Sequence, residues 1–223
     1  MADMTNAGTL REREILLAGG TSEVGWAIAR RLRDGGARVT VAGRSAEKLE
    51  AFGASGFRTL QVDFTDAAAT DDALSRFDRL DGLVPLVGGW RGGGGIPGQS
   101  DDDWAALETA LTTVRHACRA AWPLLDASPA ARVAILSSTA VAHPRAGAAN
   151  YAAMKAASET WIHAVAHGFA LSARKAEREQ TGSCTIFRVK ELAGLEDEVA
   201  QRTAALWEAP AQGDAAEVVA LQA

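Results

Sequence analysis

The chain has 223 residues, of which 48% are hydrophobic and 23% are charged. This size and composition fit one large domain with a sizeable core, and they exclude a disordered or fibrous protein. The formal net charge of −5 gives no electrostatic reason to expect nucleic acid or an anionic membrane as a partner. Cys118 and Cys184 lie in unrelated segments without metal-ligand spacing, so we expect free thiols, no metal site and a cytoplasmic protein.

The hydrophobic runs are too short to cross a membrane. None reaches the roughly 20 residues that a membrane-spanning helix needs. Residues 1–13 also lack the apolar centre of a secretion signal. We therefore expect no membrane partner, and we expect residues 1–11 to be a flexible segment ahead of the first strand.

Short apolar runs alternate with longer amphipathic stretches, a pattern typical of a parallel sheet covered by helices. The predicted strands are Glu14–Ala18, Ala37–Ala42, Phe57–Val62, Gly82–Val87, Arg132–Ser137, Cys184–Val189 and Glu217–Leu221. The predicted helices are Val24–Asp34, Ala46–Phe52, Ala67–Phe77, Asp102–Asp126 and Asn150–Glu179. The pattern predicts a single α/β domain over residues 1–223, built on a doubly wound parallel sheet of about seven strands.

One face of the fifth predicted helix carries small residues. The small residues on that face are Ala153, Ala156, Ala157, Thr160, Ala164 and Gly168. Such a face permits close approach of another subunit, and it equally suits ordinary packing of a helix on a sheet. Both interpretations stay open at this point.

One segment stands out by composition. Residues 88–98 contain seven glycines together with Trp90 and Arg91, and they follow the fourth predicted strand directly. Loops at the carboxyl ends of parallel strands are where such sheets bind ligands. The segment is therefore a candidate part of the site, with a flexible crossover loop as the alternative.

A glycine turn follows the first predicted strand and leads straight into a helix, in the order A-G-G-T-S-E-V-G-W-A-I-A over residues 18–29. Such a turn presents backbone N–H groups and the positive end of the helix dipole. Glycine also allows the backbone to approach a ligand closely. These features favour a pyrophosphate group at the turn.

This turn resembles that of the short-chain dehydrogenase/reductase family, which runs T-G-x-x-x-G-x-G. Gly19 and Gly25 take the first and last glycine positions, while Ala18 replaces the threonine and Glu23 replaces the middle glycine. A Glu23 carboxylate that faces inward would repel the cofactor, whereas one that faces solvent would be harmless. The resemblance implies cofactor contacts from this turn at Gly19, Thr21, Ser22, Val24 and Gly25.

The end of the second strand indicates which dinucleotide is bound. An acidic residue there holds the ribose 2′-hydroxyl, whereas an arginine favours a 2′-phosphate. Gly43 removes the acid and Arg44 supplies the cation, which resembles the NADP-preferring pattern, with a solvated arginine as the alternative. The resemblance further implies cofactor contacts from Asp63, Phe64 and Gly88.

The residues that resemble the family most closely lie further along the chain. Tyr151 is the only tyrosine, and Lys155 follows it four residues later, on the same face of a helix. The resemblance implies that Ser138, at the end of the fifth strand, completes a catalytic Ser, Tyr and Lys set. Tyr151 would then act as general acid in carbonyl reduction and as base in the reverse reaction. Lys155 would lower the pKa of Tyr151 and bind the nicotinamide ribose, while Ser138 would bond to the carbonyl oxygen.

The chain also departs from the family pattern. Residues 85–88 read P-L-V-G in place of N-N-A-G, and Ala110 stands about where the family has an Asn that holds a water in its proton relay. The relay must therefore differ or be absent, with Thr109, Thr112 and Thr113 available to hold water. The sixth strand leads into Lys190 without the family's P-G-x-x-x-T segment.

These features together predict a Rossmann-type sheet with strand order 3-2-1-4-5-6-7. They favour an NADP-dependent oxidoreductase of ketoreductase type, which reduces a carbonyl or oxidises an alcohol on a small or medium-sized organic substrate. The family resemblance also implies a homo-oligomer, a dimer or tetramer. Two alternatives remain: a non-redox enzyme such as an isomerase that uses the same Tyr151, and a catalytically silent nucleotide-binding or partner-binding protein.

Overall fold

The computed structural model describes residues 9–221, so the expectation of flexibility for residues 1–8 lies outside the described part of the chain. The strands are β1 Glu14–Ala18, β2 Arg38–Gly43, β3 Arg58–Gln61, β4 Gly82–Pro85, β5 Arg132–Ser138, β6 Ser183–Val189 and β7 Glu217–Leu221. The helices are α1 Glu23–Asp34, α2 Ala46–Ala54, α3 Ala67–Leu74, α4 Asp101–Ala127, α5 Ala149–Lys175 and α6 Glu196–Ala205. Two 3₁₀ turns, Thr139–Val141 and Ala146–Ala148, precede α5.

The strands form one sheet in the order β3-β2-β1-β4-β5-β6-β7, and every neighbouring pair is parallel. The doubly wound Rossmann-type fold and the predicted strand order are therefore confirmed. Because all strands run the same way, the turns that leave their carboxyl ends gather along one edge. This edge holds Gly19, Gly43, Asp63, Gly88 and Ser138.

Both faces of the sheet are covered, as the apolar strands require. Leu16 and Ala18 point into a core that α3, α4 and α5 complete, whereas Ile15 and Leu17 point into a second core under α1, α2 and α6. Cys118 and Cys184 are free, as predicted, and both are buried. No helix within residues 9–221 is both long and apolar enough to cross a membrane.

The structure corrects several predicted boundaries. Strand β4 ends at Pro85 rather than Val87, and strand β3 is shorter than predicted at both ends. Helix α3 stops at Leu74 rather than Phe77, while α5 stops at Lys175 rather than Glu179 because Glu177 takes a left-handed conformation with φ 49°. The remaining predicted elements agree with the structure to within two residues at each end.

Helix α6 is missing from the prediction. It is short, and only Val199, Ala200 and Thr203 on it are buried, so it shows no long apolar stripe in the sequence. It packs beside α1 on the second face of the sheet.

Candidate active site

The glycine turn after β1 is shaped by close backbone contacts. A Cβ on Gly25 would lie 1.9 Å from the carbonyl oxygen of Gly20, and a Cβ on Gly19 would lie 2.1 Å from Cγ2 of Val87. Only glycine fits these two positions, where α1 packs on the turn and the turn packs on the segment after β4. The Ser22 hydroxyl caps α1 by accepting a hydrogen bond from the amide of Gly25 at 3.4 Å.

A cleft of about 450 Å³ opens beside this turn. Seven of the predicted cofactor residues line it: Gly19, Thr21, Ser22, Arg44, Asp63, Phe64 and Gly88. Its remaining walls come from residues that sequence reasoning did not assign to the cofactor: Gly43, Ser45, Lys48, Val62, Thr65, Leu86, Val87, Thr109 and Thr113. The structure thus brings the ends of β1 to β4 together around one cavity.

Two residues of the predicted turn do not present side chains to the cleft. The side chain of Val24 is buried in the core beneath the turn. Gly25 is buried beneath the turn, against the Gly20 carbonyl. These two residues pack the first turn of α1 against the rest of the chain. At either position, only the backbone could contact a cofactor.

Glu23 faces away from the cleft. Its side chain is exposed and lines an outer groove between α1 and α6, together with Trp26 and Glu196. The middle position of the glycine motif therefore carries a carboxylate on the solvent side of the helix. Of the two orientations considered for Glu23, the structure shows the harmless one.

Arg44 stands at the rim of the cleft with its side chain 72% exposed. Its nearest acidic partner is Asp63, at 3.9 Å between Nη1 and Oδ2. The hydrogen bonds that Asp63 accepts from Thr65 hold the pKa of this carboxyl below its usual range. An exposed ion pair at this distance contributes little energy, so the Arg44 guanidinium is available to an anionic ligand. Lys48 adds a second cation to the same wall.

His116 supports the far end of the cleft. Arg115 donates a hydrogen bond to its Nε2 at 2.8 Å, so Nδ1 carries the proton and donates to the carbonyl of Phe64 at 2.9 Å. The imidazole is buried in α4 and fixes the backbone at Phe64 on the cleft wall. Sequence reasoning missed this role because no local pattern links residues 52 positions apart.

Ser138 and Tyr151 meet at the edge of the sheet, as predicted. Burial raises the pKa of Tyr151, and a hydrogen bond between the Ser138 and Tyr151 hydroxyl groups opposes that shift. Ser138 Oγ also accepts a hydrogen bond from the amide of Ala140 at 3.1 Å. Burial is the largest cause of this raised pKa, and Lys155 is not among the groups that shift it in the protein alone, so the expected lowering by Lys155 stays a prediction for the cofactor-bound protein.

Lys155 lies one turn beyond Tyr151, with Nζ 5.8 Å from the centre of the phenol ring. The ammonium donates a hydrogen bond to the carbonyl of Leu136 at 2.8 Å. Burial lowers the pKa of Lys155 to about 8, although the carboxylate of Glu159 opposes the shift. A Cβ on Gly88 would lie 3.6 Å from Lys155 Nζ, so the ammonium adjoins the end of the cleft.

A buried ion pair anchors the next turn of the same helix. Glu159 is 4% exposed and accepts hydrogen bonds from Ser137 Oγ at 2.5 Å and from Arg188 Nε at 2.9 Å. These contacts hold the pKa of Glu159 below its usual value even though burial alone would raise it. They join α5 to the last residues of β5 and β6, directly below Lys155.

Ala110 lies close to the predicted relay position. A Cβ on Gly88 would lie 3.8 Å from Ala110 Cβ and 3.6 Å from Lys155 Nζ, so Ala110 faces the neighbourhood of the ammonium without a polar group. Thr109 and Thr113, on the same helix, line the cleft. Among the described residues, no group of three or more His, Cys, Asp or Glu side chains is arranged to hold a metal ion.

Comparisons with known proteins agree with this geometry. The family described as short chain dehydrogenase matches residues 13–173. The chain is 34% identical to serine 3-dehydrogenase of Agrobacterium fabrum over 150 residues, which is 64% of this chain and 60% of that protein. It is 29% identical to 2,3-dihydro-2,3-dihydroxybenzoate dehydrogenase of Bacillus subtilis over 164 residues, 69% of this chain and 62% of that protein. The chain thus spans about three fifths of the length of these two relatives.

The fold is shared with solved structures of low sequence identity. The NADP active-site complex of RhlG from Pseudomonas aeruginosa superposes with a TM-score of 0.80, at 20% identity and with 98% of both chains covered. At this identity the likeness concerns the fold.

We expect Ser138→Ala to raise the pKa of Tyr151 further, because the substitution removes the hydrogen bond that favours the phenolate while burial remains. Tyr151 is the only tyrosine, so phenolate absorbance reports this group alone during a pH titration. Ser172→Ala, which removes a hydroxyl from the far end of α5, is the matched control and leaves the titration unchanged. An unshifted phenol in Ser138→Ala would contradict the assigned contact.

Proposed function

The chain belongs to the short-chain dehydrogenase family, and we propose that it uses NADP(H) to reduce a carbonyl group, or to oxidise the matching alcohol, on a small or medium-sized organic substrate. One observation carries the proposal: Tyr151 lies beside Ser138 and one helical turn from Lys155, whose ammonium adjoins Gly88 on the wall of the glycine-lined cleft. An acid/base group thus stands beside a cleft of about 450 Å³.

The cleft fits a nicotinamide dinucleotide. Gly19 and Gly25 let the turn fold so tightly that a side chain at either position would collide with neighbouring atoms. The first turn of α1 then offers the helix N-terminus that favours phosphate. Arg44 and Lys48 would hold a 2′-phosphate on the opposite wall, and the NADP complex of RhlG supports this choice of dinucleotide. When bound, the nicotinamide supplies or accepts the hydride.

The chain's own residues supply the proton chemistry. The Ser138 hydroxyl would bond to the carbonyl oxygen and hold it beside the phenol of Tyr151. Tyr151 would donate its proton to that oxygen in reduction and remove the hydroxyl proton in oxidation. Lys155, as an ammonium, stabilises the phenolate that donation leaves behind. Thr109 and Thr113 are the polar groups of α4 on the cleft wall, where Ala110 offers none.

We expect NADPH to bind about ten- to a hundredfold more tightly than NADH, because a charge-assisted contact from Arg44 to the 2′-phosphate contributes about 1.5–3 kcal/mol. Arg44→Ala should remove most of this preference, as measured by quenching of tryptophan fluorescence. Arg119→Ala, on the outer surface of α4, is the control and should keep it. A preference that survives in Arg44→Ala would contradict the assignment of the cation.

We expect NADPH affinity to fall as the pH rises through about 8, because the Lys155 ammonium loses its proton there and an amine attracts neither ribose hydroxyls nor a phenolate as strongly. One linked proton limits the fall to about tenfold per pH unit. In Lys155→Arg the guanidinium stays charged, so this fall in NADPH affinity near pH 8 should disappear. Lys175→Arg, at the exposed end of the same helix, should retain it.

The function itself is tested by NADPH consumption. The two curated relatives are named for alcohols that carry a carboxylate, so the first panel pairs hydroxy acids such as serine with NADP⁺ and keto acids with NADPH. Turnover in Tyr151→Phe should fall by at least about 10²–10⁴-fold with NADPH binding retained, because the ring stays and only the transferable proton is lost. Product formation without stoichiometric NADPH consumption would replace the redox proposal with a non-redox one.

We further propose that copies of the chain associate through α5. Gly168 already packs within the chain, since a Cβ there would lie 2.9 Å from Trp122. Other residues of the helix form an exposed stripe with helical spacing: Ala153, Thr160, Ala164, His167 and Leu171. We expect a dimer or tetramer in sedimentation, and we expect Ala164→Arg to dissociate it. Ala51→Arg, at an exposed position of α2, should leave the oligomer intact.

A further inference from the structure

The glycine-rich segment after β4 follows a defined path. Glycines along it adopt positive φ, a conformation that other residues reach only under strain: Gly88 at 147°, Gly92 at 157°, Gly93 at 124°, Gly94 at 64° and Gly95 at 66°. A Cβ on Gly92 would lie 2.3 Å from the carbonyl oxygen of Gly147. The segment therefore packs backbone to backbone on the residues just before α5.

Gln99 directly follows this segment and links it to α5 by hydrogen bonds. Its Nε2 donates hydrogen bonds to the carbonyls of Gly93 at 3.0 Å and Gly95 at 3.1 Å. Its Oε1 accepts a hydrogen bond from the amide of Asn150 at 3.0 Å. Gln99 is half-buried, whereas most of the segment before it is exposed. One side chain thus joins the glycine segment to the first turn of the helix.

The bond to Asn150 matters because α5 has no cap of its own. The amides of a first helical turn have no partner within the helix, and an oxygen from the N-cap side chain usually accepts from one of them. Helices α1, α2 and α4 are capped in this way by serines, but α5 has Ala148 at that position and no side-chain cap. Gln99 supplies the missing acceptor from another segment.

We infer that Gln99 is a positioning residue for Tyr151. Asn150 and Tyr151 are adjacent in the capped turn, so fixing the amide of one fixes the direction of the other's phenol toward Ser138. Two further hydrogen bonds connect the same segments. One runs from the amide of Gly93 to the carbonyl of Gly147 at 2.7 Å, and the other from Asn150 Nδ2 to the carbonyl of Ser100 at 3.1 Å. The inference rests on the proposed function, in which Tyr151 moves the proton.

The test compares Gln99→Leu with a matched control, Gln180→Leu. Gln180 also donates to two glycine carbonyls, those of Gly182 at 2.9 Å and Gly213 at 2.8 Å, but it lies just ahead of β6, at the end of the strand remote from the site. Both substitutions therefore remove the same kind of side-chain contact. If Gln99→Leu does not fold, Gln99→Asn replaces it, because the shorter side chain cannot span both partners.

Three readouts are compared between the variants, namely kcat, the Tyr151 titration and hydrogen exchange at Asn150, and the Kd for NADPH is measured as a check that the cleft is intact. In Gln99→Leu, we expect kcat to fall about ten- to a hundredfold with the Kd for NADPH within about twofold of the parent, because a proton donor displaced by about an ångström loses rate while the cleft stays intact. The absorbance titration of Tyr151 should move to higher pH, as in Ser138→Ala, because the contact with Ser138 is lost. Hydrogen exchange at the amide of Asn150 should accelerate. Gln180→Leu should change none of the three.

Gln99→Glu distinguishes the two contacts of Gln99, the cap on the Asn150 amide and the hydrogen bonds to the glycine segment. Its carboxylate keeps the acceptor for Asn150 but cannot donate to Gly93 and Gly95. We expect protection of the Asn150 amide and most of kcat to return.

The inference is overturned if Gln99→Leu behaves as Gln180→Leu does, or if Asn150 exchange accelerates while the Tyr151 titration and kcat stay unchanged. The exchange and titration need no substrate. If the parent protein turns over no carbonyl or alcohol, the proposed function fails while those two readouts still decide whether Gln99 positions Tyr151.

Discussion

Helix α5 is held on the sheet by charged groups that are buried or half-buried, and the proposed catalytic geometry depends on the partners that these groups find. A buried charge is costly unless it has partners. Lys155 finds one in the carbonyl of Leu136, and one turn later Glu159 finds Ser137 and Arg188. Sliding or rotating α5 by a single residue would break both sets of contacts. Tyr151, one turn before Lys155, is thereby kept at Ser138.

The two halves of the site are built by different means. The half proposed to bind the nucleotide is shaped by backbone: glycines let the turn after β1 pack on β2, on α1 and on the segment after β4. The catalytic half is shaped by side chains that project from β5 and α5. Gly88 is where the halves meet, since it lines the cleft and a Cβ there would lie in van der Waals contact with Nζ of Lys155, at 3.6 Å.

The sequence predicts the features that arise from local patterns. Apolar runs predict the strands, and the spacing of Tyr151 and Lys155 places them on one helical face. It does not predict contacts between distant residues: Gln99 and Asn150 are 51 positions apart. Helix α6 was not predicted because its three buried residues are too few to form a recognisable apolar stripe in the sequence. Spacing reveals the ammonium near Tyr151 but not the loss of water around the phenol, which raises the pKa of Tyr151 in the protein alone.

The outward orientation of Glu23 bears on how proteins of this kind are recognised. At Gly19 and Gly25 the backbone itself makes the close approach, so these positions tolerate no side chain. At residue 23 the chain has already turned into α1, and a side chain there extends into the groove beside Trp26 and Glu196. A search signature that requires all three glycines would reject this sequence at residue 23, where the side chain extends into solvent. Signatures weighted by the space around each Cβ would retain such divergent sequences.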